Sequence, residues 1–471
     1  MRRFLVIAIK GFIKLFVSAH FTWPLVYMYS RVIEEVQPKT GNGGNDKPTI
    51  LTLNSHRFRG DLEILANSNK FRLLKVPFDW QCYILALFNT SEVKKKYGLE
   101  VYFNPRDNKK LIKIQYKSRK LLKIILSSLY TRLKVDCVMG AAVHYGQDYE
   151  WGMASDEIGV PYIVLHRENI FLSSPKSAEW FSNLLKQRNG FKGRHIIVHN
   201  EIARDVFVDS GYIASNNISA LGSLRMDKYV AKVKSYNNVH YNKSSHIRKK
   251  VTFFSFYHGV GLEGLMPQWS DNQNHGFVRL FEHVHVSMAR FAMQMRDVDF
   301  VIKPKWGGSW ITKIETVLKE NNIDVNKIEN LSILPVASLK MNETQKVPDT
   351  NAHNLIFESD VVCAFQSTTM LEAAIHADKK VIIPYFDEAK YPEYEGYLQF
   401  KDYYYLFDVA HSVDELEKLI IEGLEKPKRV DKDLLRKRYE LFEMHVSSME
   451  GDALDKYVNV INQVINERQC V

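Results

Sequence analysis

The chain has 471 residues, of which 45% are apolar and 25% charged, with 14 prolines and 23 glycines. This composition argues against a disordered or fibrous protein, and the length allows two or three domains. Four scattered cysteines, none in a CxxC spacing, argue against a disulfide framework or a zinc site and favour a reducing cytoplasm. The net charge of +10 favours an anionic partner: nucleic acid, a membrane surface or a phosphorylated substrate.

Residues 1–36 are predicted to form an amphipathic, membrane-associating helix. Arg3, Lys10 and Lys14 fall on a narrow stripe of one helical face, and apolar side chains occupy the remainder. This pattern is typical of a helix lying in a bilayer interface. The alternative is a helix packed on the protein's own core with its lysines reaching solvent. The lysines interrupt the apolar run that a spanning helix needs, and the segment lacks the cleavage site of a secretory signal.

A Gly/Asn/Pro-rich linker at 37–48 precedes the first predicted domain, an α/β domain over 49–231. Its apolar runs show no polar alternation and are separated by segments of helical length, which predicts a parallel sheet covered on both faces. The predicted strands lie at 49–53, 71–77, 135–140, 161–166, 194–200 and 217–223.

Within this domain the segment 106–134 predicts a helix with one strongly basic face. That face is either a solvated surface or a contact for anionic lipid headgroups. The basic segments lack interleaved aromatic residues, and we find no zinc-finger or RNP signature, so no nucleic-acid partner is predicted.

The polar stretch 232–250 is interpreted as the crossing to a second α/β domain over 249–430, followed by C-terminal helices over 431–471. The second domain has predicted strands at 251–256, 299–304, 360–365 and 380–385, and predicted helices near 277–295, near 310–320 and from 367. The predicted fold class is therefore α/β, with two Rossmann-like domains facing one another across a cleft.

Two loops of the second domain follow buried strands, where α/β sheets bind their ligands. Ser255, Tyr257 and His258 precede glycines, a composition that allows a phosphate to approach the backbone, although a plain turn has the same features. Lys303 and Lys305 flank Pro304 at a strand end and also suit a phosphate. Trp306 either stacks on a base or sugar or caps the core.

A third loop, "QSTT", supplies Gln366, Ser367, Thr368 and Thr369 at the start of a helix. Hydroxyl groups there cap free backbone N–H groups, and the helix N-terminus favours an anion. Thr369 with Glu372 matches a capping box, which would leave Ser367 and Thr368 for a phosphate.

These motifs resemble those of nucleotide-sugar glycosyltransferases of the GT-B fold, in particular bacterial capsule and surface-polysaccharide enzymes related to Kdo-, sialyl- and polyol-phosphate transferases. "KPK" at 303–305 and "QSTT" at 366–369 look like the donor-binding elements, while "GSLRMD" at 222–227 and "VIIPYFDEAKYPEY" at 381–394 are similar to further segments. Lys303 stands where histidine is common, which leaves the donor base open. Together with the resemblance, these loops predict that the second domain, 249–430, binds the nucleotide-sugar donor without a metal or a cofactor, through nine residues: Ser255, Tyr257, Lys303, Lys305, Gln366, Ser367, Thr368, Thr369 and Glu372.

The resemblance also implies that the first domain, 49–231, binds the acceptor, and such enzymes need a base there to deprotonate the acceptor hydroxyl. The resemblance to polyol-phosphate transferases places it at His166, with Glu168 as a rival base or an orienting group and Asp61 as a further candidate. A structural ion pair is the alternative for each. "HREN" at 166–169 also resembles UDP-N-acetylglucosamine 2-epimerases, but in those enzymes it follows the Gly-Asx-Asp turn, and a Ser-Gly-Gly element replaces "QSTT".

The prediction is a metal-independent glycosyltransferase that moves a sugar from a nucleotide-sugar donor to a growing cell-surface polysaccharide or lipid-linked glycan. It would be cytoplasmic and peripherally associated with the inner face of the cell membrane, at an anionic lipid surface. "DVD" at 297–299 matches a metal-binding motif, but it precedes its strand, away from the ligand edge. The alternatives are a polyol-phosphate transferase of the same fold, a sugar-nucleotide epimerase and a non-catalytic glycan-binding relative.

Overall fold

The structure is a computed structural model that describes residues 11–13, 15–16, 21–37, 47–88, 95–96, 98–238, 248–262, 265, 275–305, 309–334, 350–425 and 429–469. The chain divides into two compact units. Unit 1 comprises Met1–Glu168, Ser182–Arg225 and Asp452–Val471, and unit 2 comprises Asn169–Phe181 and Met226–Gly451.

Unit 1 is built on a seven-stranded sheet with the order β1-β3-β2-β4-β5-β6-β7. Its strands are β1 (Glu34–Glu35), β2 (Thr49–Thr52), β3 (Arg72–Lys75), β4 (Cys137–Gly140), β5 (Tyr162–Leu165), β6 (His195–Val198) and β7 (Ile218–Ala220). Every neighbouring pair is parallel except β1 with β3, which is antiparallel. The six predicted strands are confirmed, whereas the two-residue β1 was too short to be predicted.

Helices cover the sheet of unit 1. They are α1 (Trp23–Val32), α2 (Asp61–Asn67), α3 (Phe78–Ala86), α4 (Leu99–Phe103), α5 (Lys109–Leu133), α6 (Gly146–Glu157), α7 (Pro175–Lys186), within which the division between the units falls, and α8 (Glu201–Asp209). The basic segment is a 25-residue helix, α5, as predicted. Strands β2, β4, β5 and β6 are buried along their whole length, as their continuous apolar runs require.

Two glycines set the distance between helix α6 and the sheet. A Cβ atom on Gly140 would lie 2.5 Å from the Tyr162 hydroxyl oxygen, and one on Gly152 would lie 2.4 Å from the same ring. Both contacts are shorter than any real Cβ contact, so only glycine allows the Tyr162 ring to lie between strand and helix.

Residues 1–10, 14 and 17–20 of the predicted N-terminal helix, and with them the basic stripe of Arg3, Lys10 and Lys14, lie outside the described part of the chain. Helix α1 packs on unit 1 through the buried side chains of Leu25 and Tyr29, and the Tyr29 hydroxyl donates to the Trp80 carbonyl oxygen at 2.8 Å. The opposite face carries Trp23 and Tyr27, which are 66% and 40% exposed. This part of the segment therefore packs on the protein's own core with one face, as in the second predicted alternative, and exposes the other.

Unit 2 contains a six-stranded, fully parallel sheet with the order β10-β9-β8-β11-β12-β13. Its strands are β8 (Lys249–Phe254), β9 (Val298–Lys303), β10 (Leu331–Ile333), β11 (Val361–Ala364), β12 (Lys380–Pro384) and β13 (Asp408–Ala410). The four predicted strands are confirmed, and the three-residue strands β10 and β13 form the two edges. The α/β fold class is thus confirmed in both units.

The helices that complete the fold are α9 (Met226–Asn238), α10 (Val278–Gln294), α11 (Ser309–Glu320), α12 (Thr350–Glu358), α13 (Thr368–Ala374), α14 (Pro392–Glu395), α15 (Val413–Glu425), α16 (Lys432–His445) and α17 (Ala453–Gln469). All belong to unit 2 except α17, which returns to unit 1.

The division between the units differs from the predicted domain boundaries. It falls between Arg225 and Met226 rather than within 232–250, because α9 packs on unit 2, where the Tyr229 hydroxyl donates to the Glu372 carbonyl oxygen at 2.7 Å. Residues 239–247 lie outside the described part. The predicted C-terminal segment 431–471 is split, since α16 belongs to unit 2, whereas the Tyr457 hydroxyl of α17 donates to the Gly222 carbonyl oxygen of unit 1 at 2.9 Å.

Candidate functional site

The candidate ligand edge of unit 2 lies where the order of its strands reverses. From β8 the chain runs outward through β9 and β10 on one side of the sheet, whereas β11, β12 and β13 lie on the other. The carboxyl ends of the paired strands β8 and β11 therefore flank a topological switch point, which is where open parallel sheets bind ligands. The three predicted loops follow β8, its neighbour β9, and β11.

Ser255 follows β8, and its hydroxyl group is hydrogen-bonded to two side chains of the protein. The oxygen lies 2.8 Å from His285 Nε2 and accepts from Trp310 Nε1 at 3.2 Å. His285 Nδ1 faces the Phe281 carbonyl oxygen, so the ring carries its proton on Nδ1 and Nε2 accepts from Ser255. Burial lowers the pKa of His285 to about 4, which keeps it neutral at pH 7. Ser255 therefore ties the end of β8 to helices α10 and α11.

Tyr257 and His258, further along this loop, lie beside a lysine that the sequence reasoning missed. Lys313 Nζ, on helix α11, lies 2.8 Å from His258 Nδ1 and 5.8 Å from the centre of the Tyr257 ring. Burial lowers the pKa of Lys313, and burial together with the Lys313 charge lowers the pKa of His258 to about 4. Tyr257 remains 39% exposed. The edge thus presents an aromatic face beside an ammonium group.

The "KPK" element follows β9. Lys303 Nζ donates to the carbonyl oxygen of Pro304 at 3.1 Å, and Lys305 is exposed. Trp306 lies outside the described residues. Because β9 pairs with β8, both lysines lie at the same sheet edge as Ser255.

Gln366 serves as a structural clamp in the third loop. It has a φ of 52°, in the left-handed region. Its buried side-chain amide donates to the Tyr397 carbonyl oxygen at 3.1 Å and accepts from the Gln399 N–H at 2.6 Å. The side chain therefore fixes the segment after α14 against the carboxyl end of β11.

The predicted capping box of Thr369 with Glu372 is wrong. Ser367 is the N-cap of α13, and its Oγ accepts from the Thr369 N–H at 3.3 Å. Glu372 is only 2% exposed, with Oε2 3.4 Å from His353 Nε2, so its carboxylate faces the interior rather than the helix start. The hydroxyl groups other than the cap are those of Thr368 and Thr369, not those of Ser367 and Thr368, and Thr369 Oγ1 lies 2.9 Å from the capping Ser367 Oγ.

Unit 1 has an equivalent switch point between β2 and β4. Asp61 is the first residue of α2, in the connection that follows β2, and its Oδ2 lies 2.9 Å from Arg167 Nε, with both side chains less than 10% exposed. Arg167 also donates to the Arg57 carbonyl oxygen at 2.7 Å. Asp61 therefore takes part in a buried ion pair that links the loops after β2 and β5, the structural alternative considered for it.

His166 lies at the carboxyl end of β5 and is 1% exposed. Its Nε2 is 3.1 Å from the Glu168 carbonyl oxygen, which assigns the proton to Nε2 and the lone pair to Nδ1. Burial, with a smaller contribution from His144, lowers the pKa of His166 to about 3, although the Glu168 carboxylate acts in the opposite direction. The imidazole is therefore neutral at pH 7.

The sequence reasoning missed two further histidines at this edge. His144 follows β4, with its ring centre 6.0 Å from that of His166, and His199 directly follows β6. Burial lowers the pKa of His144 to about 4 and also lowers that of His199. His199 leaves a buried strand at its carboxyl end just as His166 does, but the resemblance pointed only to His166.

Neither unit shows a metal-binding cluster: within the described ranges, no three or more His, Cys, Asp or Glu side chains converge as metal ligands would. The "DVD" residue Asp299 lies in the amino-terminal part of β9 and pairs with Arg248 at 3.2 Å. None of the helices in the described part is long and apolar enough to cross a membrane.

The sequence matches no protein-family model and no curated protein. The structure is similar to several solved structures. UDP-GlcNAc 2-epimerase from Neisseria meningitidis, bound to UDP-GlcNAc, is 13% identical with a TM-score of 0.45, over 88% of this chain and 100% of that one. A putative UDP-N-acetylglucosamine 2-epimerase from Listeria monocytogenes is 10% identical with a TM-score of 0.48, over 89% and 97%. The wall teichoic acid polymerase TagF with CDPG is 13% identical with a TM-score of 0.41, over 71% and 73%. One fold hosts many reactions, so similarity at this level leaves the activity open.

Proposed function

We propose that the chain is a glycosyltransferase that uses a nucleotide-sugar donor. The observation that carries the proposal is the switch point of unit 2. There three cationic side chains (Lys303, Lys305 and Lys313), an exposed tyrosine ring and two threonine hydroxyl groups gather at the carboxyl ends of adjacent parallel strands. A nucleotide diphosphate needs positive charge and hydroxyl donors for its phosphates and a flat apolar face for its base or sugar.

In the proposed reaction these groups bind the donor and stabilise the departing phosphate. Negative charge develops on the leaving nucleotide as the glycosidic bond breaks, and fixed ammonium groups lower the energy of that charge. Thr368 and Thr369 donate to the phosphate, while Ser255, Gln366 and Glu372 hold the surrounding backbone in place. Glu372 thus becomes a positioning residue rather than a ligand.

Unit 1 would supply the base that deprotonates the acceptor hydroxyl. We assign this role to His166, whose neutral imidazole has a lone pair on Nδ1. The Glu168 carboxylate offsets part of the lowering of this histidine's pKa by burial and so stabilises the ring once it takes the proton. Asp61 keeps the loops in place through Arg167.

The acceptor would be a growing surface polysaccharide or a lipid-linked glycan at the inner face of the membrane. Support for membrane association comes from an exposed aromatic ladder in which Phe21, Trp23 and Tyr27 follow each other at ring distances of 6.2 and 6.1 Å. Phe21 and Trp23 are 54% and 66% exposed. Amphipathic aromatic rings concentrate at membrane interfaces.

Two measurements on the purified full-length chain test the reaction. UDP, CMP, CDP and GDP are first compared for their ability to raise the melting temperature, since a ligand that binds only the folded state must do so. The matching nucleotide sugars are then incubated with and without membranes as the acceptor source. Nucleotide release that requires the acceptor, with sugar incorporated into glycan, supports the transferase. Release without any acceptor contradicts it and favours the epimerase.

The aromatic ladder is tested separately with vesicles. Replacing Phe21 and Trp23 together by serine is expected to reduce sedimentation with anionic vesicles, because two exposed rings that would enter the interface are lost. Tyr405→Ser is the control, since Tyr405 is 69% exposed on unit 2. Equal sedimentation of the two variants would contradict membrane contact through the ladder.

A further inference from the structure

An open groove lies along helix α5 of unit 1, away from the strand ends just described. It encloses about 590 Å³ between α5, α6 and the loop that carries Lys192, a volume within the range of about 300–1,000 Å³ usual for ligand sites. Its walls are largely apolar, with contributions from Phe103, Ile112, Ile124 and Met153.

The outer face of α5 exposes an apolar stripe beside this groove. Ile112, Tyr116, Lys120 and Ile124 follow one another at four-residue intervals and so share one face of the helix. Ile112, Tyr116 and Ile124 are 43%, 66% and 48% exposed. Three large apolar side chains on one face, with Lys120 between two of them, leave apolar surface in water, which is uncommon over a large patch unless a ligand or partner covers it.

Only some of the basic side chains around the groove have an acidic partner. Arg119 and Lys123 are each neutralised by an acid on α6, Glu150 and Glu157, at 3.0 Å. Lys120 and Lys192 also line the groove, but they are exposed and have no acidic side chain within ion-pair distance in the described part of the chain. Helix α5 has no acidic residue in its 25 positions. The rim therefore attracts an anion beside an apolar wall.

We propose that this groove binds an anionic phospholipid of the membrane, with an acyl chain along the apolar wall and the headgroup phosphate between Lys120 and Lys192. A free sugar phosphate would leave the apolar wall uncovered, whereas a neutral apolar ligand would leave both ammonium groups unmatched. Helix α1, which carries Trp23 and Tyr27 of the aromatic ladder, packs against α5 near the other end of that helix. There Arg132 donates to Ser30 at 3.1 Å and lies over the Tyr27 ring at 5.5 Å. The inference goes beyond the proposed function, because it requires neither the donor nor the transfer reaction.

The test uses the full-length chain and a short-chain phosphatidylglycerol below its critical micelle concentration, so that no vesicle surface is present. We expect this lipid to raise the melting temperature with saturation, whereas glycerol 3-phosphate and the matching short-chain phosphatidylcholine do not. An equal shift with glycerol 3-phosphate would overturn the acyl-chain contact. An equal shift with phosphatidylcholine would overturn the role of the two lysines.

Two double variants locate the site. Lys120→Gln with Lys192→Gln is expected to weaken lipid binding by at least tenfold, since each lysine near an anionic headgroup contributes severalfold in affinity. Ile112→Ser with Ile124→Ser alters the apolar wall at exposed positions and is expected to weaken binding similarly. The control, Lys432→Gln with Lys437→Gln, removes the same charge from exposed positions of unit 2. Wild-type lipid affinity in both groove variants, or an equal loss in the control, would overturn the proposal.

Discussion

Three consecutive residues at the start of helix α13 carry hydroxyl groups, and they can be tested one by one. Ser367 caps the helix, whereas Thr368 and Thr369 are assigned to the ligand. The Ser367 Oγ to Thr369 N distance of 3.3 Å is longer than the usual 2.9–3.0 Å, and Ser367 is only half-buried. Ser367→Ala should therefore cost about 0.5–1 kcal/mol of unfolding free energy, the lower part of the range for an N-cap. It should leave nucleotide affinity nearly unchanged.

Thr368→Val should have the opposite effect. Valine keeps the shape of threonine, and the Thr368 side chain takes no part in the cap, so the unfolding free energy should change by less than about 0.5 kcal/mol. A hydrogen bond from a hydroxyl group to a charged phosphate contributes about 1.5–3 kcal/mol, so the Kd of the nucleotide should rise roughly 10- to 100-fold. Thr369→Val should change both quantities, because Thr369 Oγ1 lies 2.9 Å from Ser367 Oγ.

The assays are urea unfolding followed by far-UV circular dichroism and titration calorimetry with the nucleotide that gives the largest thermal shift. Ser367→Ala and Thr368→Val serve as controls for each other, since each removes one hydroxyl group from the same turn. The reasoning is refuted if Thr368→Val binds nucleotide with wild-type affinity, or if Ser367→Ala loses affinity as strongly as Thr368→Val does.

Three further predictions concern the surrounding structure. Arg167→Met leaves the buried Asp61 carboxylate without its ion-pair partner and should cost about 3–5 kcal/mol of unfolding free energy, measured in urea; a cost below 1 kcal/mol would contradict the buried pair. Gln366→Ala removes two hydrogen bonds to the 397–399 segment and should lower the unfolding free energy by about 2–4 kcal/mol. It should also make that segment easier to cleave by protease, and an unchanged rate of cleavage would contradict the role of Gln366 as a clamp. Burial lowers the pKa of His285 to about 4, against about 6.5 in the unfolded chain, so the folded state binds fewer protons. The unfolding free energy should therefore fall by about 3 kcal/mol from pH 6.5 to 4 through this group. His285→Asn should make the unfolding free energy depend less steeply on pH, and an unchanged dependence would contradict the assignment.

The sheets could be predicted from the sequence because each central strand is a continuous apolar run. Strands β10 and β13 could not, since each has only three residues at a sheet edge and is only partly buried. The return of helix α17 to unit 1 could not be predicted from the sequence either, because contacts such as that of Tyr457 with Gly222 join positions 235 residues apart. Local patterns contain no information about such pairings.

The candidate site shows the same limit at the level of single residues. The position of "QSTT" at the end of a strand was predictable, but three adjacent hydroxyl groups satisfy the same capping pattern, and only the backbone angles identify Ser367 as the cap. Glu372 has the right spacing for a capping box, yet the fold buries it against His353. Lys313 was missed because it lies in the second turn of α11, and only tertiary structure brings it to His258.

The most direct test of the proposed transferase is acceptor-dependent sugar transfer by wild-type protein and by His166→Asn, with the donor identified by thermal shift. The asparagine side chain cannot take up the acceptor proton, so transfer should fall at least 100-fold. Nucleotide affinity should remain within twofold, because the donor is assigned to unit 2. Transfer at the wild-type rate would contradict the role of His166. Failure of the wild-type protein to transfer sugar from any bound nucleotide sugar would contradict the proposed function itself.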